Sequence, residues 1–195
     1  MSLSIPSSED LEELLLSCRY GDVEDIQQFI DRFGPDALNS ARDDGGNSVL
    51  HMVAGNGHTE ALDYLLPLVS PSLLSAQNDA KSTPLHWAAL NSHLAIAQKL
   101  VRFPSGPGVD LIDIKNAAGR SSLGEAENVG WDEGAKWFVE VMNLEEGANG
   151  EEELQVPESG EGIEVEIQDA DGQVAKMTIG QKNSPSLSSD GPPQT

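Results

Sequence analysis

Histidine, cysteine and clustered glutamate are the side chains of this chain that could bind a metal or act in nucleophilic catalysis. The histidines, His51, His58, His86 and His93, are separated by seven, 28 and seven residues, which matches none of the spacings used by zinc sites. A nucleophile needs an identifiable base or a lowered pKa, and the single cysteine, Cys18, stands at a helix position where other parts of the chain carry Ala54 and Ala89. The glutamates at 151–153 are typical of a solvated charge run. We therefore predict no catalytic residues, no metal site and no cofactor, and we expect Cys18 to be a small, buried packing residue.

The chain is strongly acidic. It carries 33 aspartates and glutamates against 11 lysines and arginines, a formal net charge of −22 over 195 residues. The acids are densest in residues 145–195, which hold 12 acids and two lysines. Such a charge repels nucleic-acid phosphates and attracts basic partners, although acidity alone also keeps a protein soluble. No apolar run approaches the roughly 18 residues of a membrane span, and the N-terminus lacks a signal-peptide core. We expect a soluble intracellular protein that contacts neither membranes nor nucleic acid.

A repeated pattern organises most of the chain. Two segments 35 residues apart resemble each other closely, Asn47-Ser48-Val49-Leu50-His51-Met52-Val53-Ala54 and Ser82-Thr83-Pro84-Leu85-His86-Trp87-Ala88-Ala89. The second contains the ankyrin signature T-P-L-H-x-A. Turns follow in four successive units, at Gly21-Asp22, Gly57-His58, Ser92-His93 and Gly130-Trp131, and after each turn apolar residues recur at helical spacing.

The sequence therefore predicts an all-α ankyrin-repeat solenoid. Each unit is expected to contain an inner helix, a turn and an outer helix, with hairpin fingers between the units. The units are predicted at residues 8–42, 43–77, 78–115 and 116–142, with an inserted surface loop at 104–108. Residues 143–195 are predicted to be an acidic, largely disordered tail.

One part of this tail carries a different pattern. Residues 163–179 alternate apolar and polar side chains on both sides of Asp171-Gly172, which is typical of a β-hairpin. Because an isolated hairpin is only marginally stable in water, we expect this segment to be disordered or to fold only on a partner.

The inner helices and finger tips are the predicted binding surface. The repeated histidines are expected to bridge backbone groups of neighbouring units, which leaves the variable positions on the concave side for a partner. These positions are Arg19, Tyr20, Met52, Asn56, Trp87, Leu90, Asn91 and Asn128, with Leu16 and Val129 in the same row and Asp43, Asp44 and Asp79 on the finger tips. We predict an apolar groove, with Trp87 as its anchor and Met52, Leu90 and Tyr20 flanking it. The groove is expected to take a short amphipathic helix of the partner, with the finger acids facing the lysines or arginines of that helix. The alternative is that Trp87 packs between repeats.

Several of these segments in combination point to one branch of the repeat family. Residues 47–58, 85–91 and 125–128, together with Cys18-Arg19-Tyr20-Gly21-Asp22, resemble fungal ankyrin-repeat chaperones dedicated to the small-subunit ribosomal protein S-three. Three features depart from that pattern, namely the loop at 104–108, Ser92 in place of the usual glycine, and the hairpin pattern at 163–179.

The resemblance implies a function and a location. It implies a non-catalytic protein-binding module that keeps a basic ribosomal protein soluble during ribosome biogenesis, in the cytoplasm and the nucleus. We expect the protein to be a monomer when alone. Two alternatives are a generic adaptor for a signalling or regulatory protein, and an enzyme subunit, for which the sequence offers no catalytic constellation.

Overall fold

The structure is a computed structural model that describes residues 4–149, 163–168 and 174–179, and the chain divides into two units, Met1–Glu151 and Glu152–Thr195. In the first unit, the described helices are α1 Ser8–Tyr20, α2 Val23–Phe33, α3 Val49–Asn56, α4 Thr59–Leu65, α5 Pro84–Leu90, α6 Leu94–Val101, α7 Asp110–Asp113, α8 Ser122–Asn128 and α9 Asp132–Asn149. Short 3-10 turns lie at Pro35–Asn39 and Pro71–Ser75. The pairs α1/α2, α3/α4, α5/α6 and α8/α9 form the predicted α-solenoid.

Local sequence signals set where the inner helices begin and end. The side chains of Ser7, Thr83 and Ser121 accept hydrogen bonds from backbone N–H groups three residues later, which caps α1, α5 and α8. Pro84 stands at the first position of α5, where its missing N–H costs nothing. The turn after α5 holds Ser92 at φ 60°, a left-handed conformation that glycine adopts at the other three turns.

The core is formed by inner helices that pack side by side, α1 on α3, α3 on α5 and α5 on α8. Small buried residues, Ala54 and Ala89, let these helices approach closely. Cys18 occupies the same position in α1 and is fully buried, as predicted. Burial raises the pKa of the Cys18 thiol to about 12, so the thiol is protonated at neutral pH.

The fingers are joined to one another by hydrogen bonds. The backbone N–H of Asp79 donates to the Gly45 carbonyl over 3.0 Å, and that of Ala117 donates to the Ala80 carbonyl over 2.9 Å. The Asn78 side-chain amide donates to Asn47 Oδ1 over 2.7 Å. The fingers therefore form a continuous edge along the inner helices.

Two features of the repeat unit differ from the prediction. Helix α7, which was not predicted, follows the loop at 104–108 and buries Leu111 and Ile112, so it takes the place that the 3-10 turns have in the first two units. Helix α9 extends seven residues beyond the predicted boundary at 142. Leucine, glutamate and alanine, which favour helix, follow that boundary and prolong the helix after the apolar pattern ends. None of the helices in the described residues is long and apolar enough to cross a membrane.

The second unit contains two paired strands, where we expected disorder in the absence of a partner. Strands β1 Ile163–Gln168 and β2 Val174–Ile179 pair antiparallel, with Ile163 opposite Ile179 and Val165 opposite Met177. The alternating sequence sets this register because apolar residues are opposite apolar residues. The rest of the predicted disordered tail, residues 150–162, 169–173 and 180–195, lies outside the described residues.

Candidate functional site

The repeated histidines bridge neighbouring units, as predicted. His51 Nδ1 accepts hydrogen bonds from the Ser48 backbone N–H over 3.1 Å and from its hydroxyl over 2.9 Å, and His51 Nε2 donates to the Ser82 carbonyl over 2.9 Å. His86 repeats this arrangement with Thr83 and with the Arg120 carbonyl, 3.1 Å away. Because a backbone N–H can only donate, Nδ1 must be the acceptor and Nε2 must carry the proton in both rings.

The two histidines in the turns make a second set of bridges. His58 Nε2 donates to the Arg19 carbonyl over 2.8 Å, and His93 Nε2 donates to the Gly55 carbonyl over 3.2 Å. Burial lowers the pKa of His51 to about 4 and also lowers the pKa of His86, so both rings are neutral at physiological pH. All four histidines are therefore structural links between adjacent units.

A depression of about 270 Å³ opens where α1, α3 and α5 lie side by side. It brings together six predicted site residues and one glycine, namely Arg19, Asp43, Met52, Gly55, Asn56, Trp87 and Asn91. The other predicted residues, Tyr20, Leu90, Asn128, Asp44 and Asp79, are exposed but do not line it. The structure thus concentrates the candidate site at the junction of the first three units.

Trp87 has both of the roles that the sequence left open. Its side chain is half-buried, and a Cβ atom on Gly55 would lie 2.5 Å from the Trp87 Cε3 atom, so the absence of a side chain at position 55 makes room for the indole. The ring also meets the His51 ring edge to face, with centroids 5.8 Å apart. Trp87 is therefore held between α3 and α5 while it still lines the depression.

The apolar residues predicted to flank Trp87 do not form one exposed strip. Met52 is only 8% exposed and belongs mainly to the core, because α3 is covered by α1 on one side and α5 on the other. Tyr20 is 71% exposed and Leu16 is 51% exposed, whereas Leu90 is 38% exposed. Among these residues, the two most exposed thus lie in the first unit.

The asparagines of the depression are fixed by their own helices. The side-chain N–H groups of Asn56 and Asn91 donate to the carbonyls of Met52 and Trp87 over 2.8 and 2.9 Å. This orientation leaves the Oδ1 atom of each amide as an acceptor for a partner. The depression therefore combines an indole ring with hydrogen-bond acceptors.

The finger acids differ in their hydrogen bonds and in their exposure. Asp43 Oδ1 accepts hydrogen bonds from the backbone N–H groups of Gly45 and Asn47, and its Oδ2 accepts one from the Asn47 side chain. Burial would raise the pKa of Asp43, but these hydrogen bonds outweigh it and lower the pKa. Asp43 is therefore an anion that shapes its own finger, whereas Asp44 and Asp79 are exposed to a partner.

A buried carboxylate in the fourth unit was not predicted. Glu125 is 2% exposed, and its Oε1 accepts a hydrogen bond from Asn116 Nδ2 over 2.5 Å. The same oxygen forms an ion pair with Arg120 Nε, 3.0 Å away. Like Met52 and Trp87, it stands five residues before the turn residue that ends its inner helix. An acid at this position, where the second and third units have methionine and tryptophan, is the signal in the sequence that the fourth unit differs from them.

The sequence is similar to those of known proteins with this architecture. Residues 14–113 match the model of ankyrin repeats in three copies, and the helix pair α8/α9, with Gly124 and Glu125 in place of histidine and tryptophan, lies outside that match. The chain is 35% identical over 68 residues to the ankyrin repeat-containing protein P16F5.05c of Schizosaccharomyces pombe, which covers 35% of this chain and 45% of that protein. It is 30% identical over 148 residues to the ankyrin repeat-containing protein YAR1 of Saccharomyces cerevisiae, which covers 70% of this chain and 72% of that protein.

A solved structure extends the comparison to three dimensions. The fold matches a chain in the crystal structure of the yeast ribosomal protein Rps3 in complex with its chaperone Yar1, with a TM-score of 0.65 and 27% identity. The match covers 70% of this chain and 95% of the solved one. These similarities agree with the signature segments and the stacked helix pairs of this chain. The chain therefore belongs to the ankyrin-repeat family.

Proposed function

We propose that this chain is a non-catalytic chaperone of the small-subunit ribosomal protein Rps3, the S-three protein. It would hold the newly made client in soluble form in the cytoplasm and accompany it towards ribosome assembly in the nucleus. The observation that carries the proposal is the similarity to Yar1, which extends over 70% of this chain and, in the solved complex, over 95% of the matched chain.

The physical properties of the chain suit such a client. A net charge of −22 attracts a protein with basic, RNA-binding surfaces and raises the rate of encounter with it. The depression then supplies specific contacts through the Trp87 ring and the amide oxygens of Asn56 and Asn91. The exposed acids Asp44 and Asp79, on the fingers outside the depression, add negative charge for a basic partner. A short amphipathic helix with a Lys/Arg face would meet both sets of groups.

The groups that resemble catalytic residues support a binding role. The Cys18 thiol is buried and protonated, and the ring nitrogens of His51 and His86 are all engaged in hydrogen bonds to backbone or cap groups. None of these three side chains offers a free nucleophile or base to a substrate.

Co-expression with Rps3 tests the proposal. The full chain should co-purify with Rps3 and increase the soluble fraction of that protein several-fold, and the rate of association should fall steeply as the salt concentration rises. Recovery of neutral or acidic partners alone, with Rps3 left insoluble, would reject the chaperone function and favour the generic adaptor.

A further inference from the structure

A second groove, of about 520 Å³, lies between α1 and α2 at the start of the solenoid. Leu14 and Phe29 contribute to its lining, and Glu13, Asp25 and Gln28 supply polar groups to it. In α3, the positions equivalent to Glu13 and Leu14 are Val49 and Leu50, which are fully buried. In an interior unit, the preceding unit covers this face of the inner helix. Within the described residues no repeat precedes the first unit, so the same face carries polar groups and borders an open groove.

The two helices that form the groove are rich in acids. Residues 8–33 contain eight acids and two arginines, whereas residues 80–109 of the third unit contain no acid and three basic residues. The arginine in the groove, Arg32, is already paired with Asp10 over 3.1 Å and lies 4.5 Å from the centre of the Phe33 ring. Glu13 and Asp25 make no ion pair within residues 4–149. The charge that remains for a partner is therefore negative.

Helix α1 contributes both to the groove and to the face assigned to the client. Leu16 lies at its edge and is 51% exposed, and it stands at the helix position that Met52 and Trp87 occupy in the next two units. Arg19, one turn further along α1, lines the depression that contains Trp87. One helix therefore contributes residues to both openings.

We propose that the groove between α1 and α2 is a second docking site for the client, and that it takes a segment bearing lysine or arginine next to an apolar side chain. The apolar part of the segment contacts Leu16, and its cationic group lies near Glu13 and Asp25. This inference rests on the proposed function, because the occupant is the same basic protein. The negative charge of the groove selects this occupant over an acidic or neutral one, and helix α1, which lines both openings, places the groove beside the concave face.

The test compares two pairs of substitutions that remove the same charge from the same helix pair. Glu13→Gln with Asp25→Asn neutralises the groove, and Glu24→Gln with Asp31→Asn neutralises two exposed acids that do not line it. Titration of each full-length variant with Rps3 at low salt should show about a tenfold loss of affinity for the groove pair and less than a twofold loss for the control pair. Thermal unfolding of both variants verifies that each is folded, and Leu16→Ala should weaken binding further in the groove pair.

The outcomes separate this inference from the proposed function. An equal effect of the two pairs, or no effect of either, would overturn the second docking site while Rps3 still binds the unchanged chain. Failure of the unchanged chain to bind Rps3 would contradict both proposals. A loss confined to the groove pair supports the second site.

Discussion

The third and fourth units each consist of an inner and an outer helix, but their polar links to neighbouring residues differ. In the third, His86 donates a hydrogen bond to the finger of the fourth unit and Trp87 packs against Gly55 of the second, so it is linked to both neighbours. In the fourth, the equivalent positions are Gly124 and Glu125, and the carboxylate of Glu125 is bound to Asn116 and Arg120 of its own finger. Its Arg120 partner is still 43% exposed.

The comparison shows how one repeat is adapted to two environments. A neutral imidazole suits a site between two units because it satisfies polar backbone groups without burying a charge. A carboxylate suits the last unit because its arginine partner remains in contact with water, which lowers the cost of desolvation. The interior units are thus joined by neutral groups and the end unit is closed by a charged one.

Removal of an interior histidine ring is expected to have the largest effect on stability. His51→Ala leaves a cavity and deprives the Ser48 N–H and the Ser82 carbonyl of their partner, so the free energy of unfolding should fall by about 3–4 kcal/mol. Urea unfolding measures the change. His58→Ala is the matched control, since it removes one hydrogen bond from a more exposed ring and should cost about 1 kcal/mol. Equal losses for the two variants would contradict the role assigned to the buried ring.

The second-largest effect is expected from acid, which should lower the free energy of unfolding by protonating His51. The pKa of His51 is about 4 in the folded chain and near 6.5 when unfolded, so the unfolded state binds the proton more readily. The stabilisation is complete above about pH 6.5 and is lost as the pH falls towards 4, for a total of about 3 kcal/mol. His86, whose pKa is also lowered, acts in the same direction.

Urea unfolding between pH 7.5 and pH 4 measures this loss. The His51→Gln variant cannot titrate at this position, so its stability should depend less on pH over the same range. An unchanged pH dependence in that variant would contradict the account.

The end unit should lose less than the interior when its polar link is removed. Glu125→Ala leaves Asn116 Nδ2 without its acceptor and Arg120 without its ion-pair partner, and it should cost about 2 kcal/mol. Glu125→Gln keeps an acceptor for Asn116 and should cost about half as much. A loss for Glu125→Ala as large as that for His51→Ala would remove the distinction between the two kinds of unit.

The smallest expected effect concerns the turns that follow the inner helices α5 and α8 of the third and fourth units. Ser92 adopts φ 60° and Gly130 adopts φ 71°, and a side chain is disfavoured in this conformation. Ser92→Gly should raise stability by about 0.5 kcal/mol, since relief of strain exceeds the added entropy of the unfolded chain. Gly130→Ser is the matched reverse change and should lower stability. A decrease for Ser92→Gly would show that the serine turn is unstrained.

The sequence allowed the repeated elements to be predicted because their signals are local. Thr83 and Pro84 mark the start of α5, and the spacing of His51 and His86 gives the period of the array. The parts that were missed depend on contacts between distant residues. The burial of Glu125 requires Asn116 to approach it from the finger, and the room for Trp87 comes from Gly55 in another unit.

The second groove was missed for a related reason. Its lining alternates acids with apolar residues along α1 and α2, a pattern that any exposed helix of a solenoid end would show. Only the arrangement of the two helices reveals that these residues line one groove. The extension of α9 beyond residue 142 was missed because the prediction followed apolar periodicity, whereas helix propensity continued the helix without it.

The affinity of the full chain for Rps3, with and without the Trp87 ring, tests the central claim most directly. The unchanged chain should bind Rps3, and Trp87→Ala should weaken the affinity by about 30-fold, equivalent to about 2 kcal/mol. Trp137→Ala is the matched control, because Trp137 is also half-buried but lies in α9, outside the depression, and its loss should change the affinity by less than twofold. Equal affinities of the two variants while both are folded, or no binding by the unchanged chain, would contradict the account.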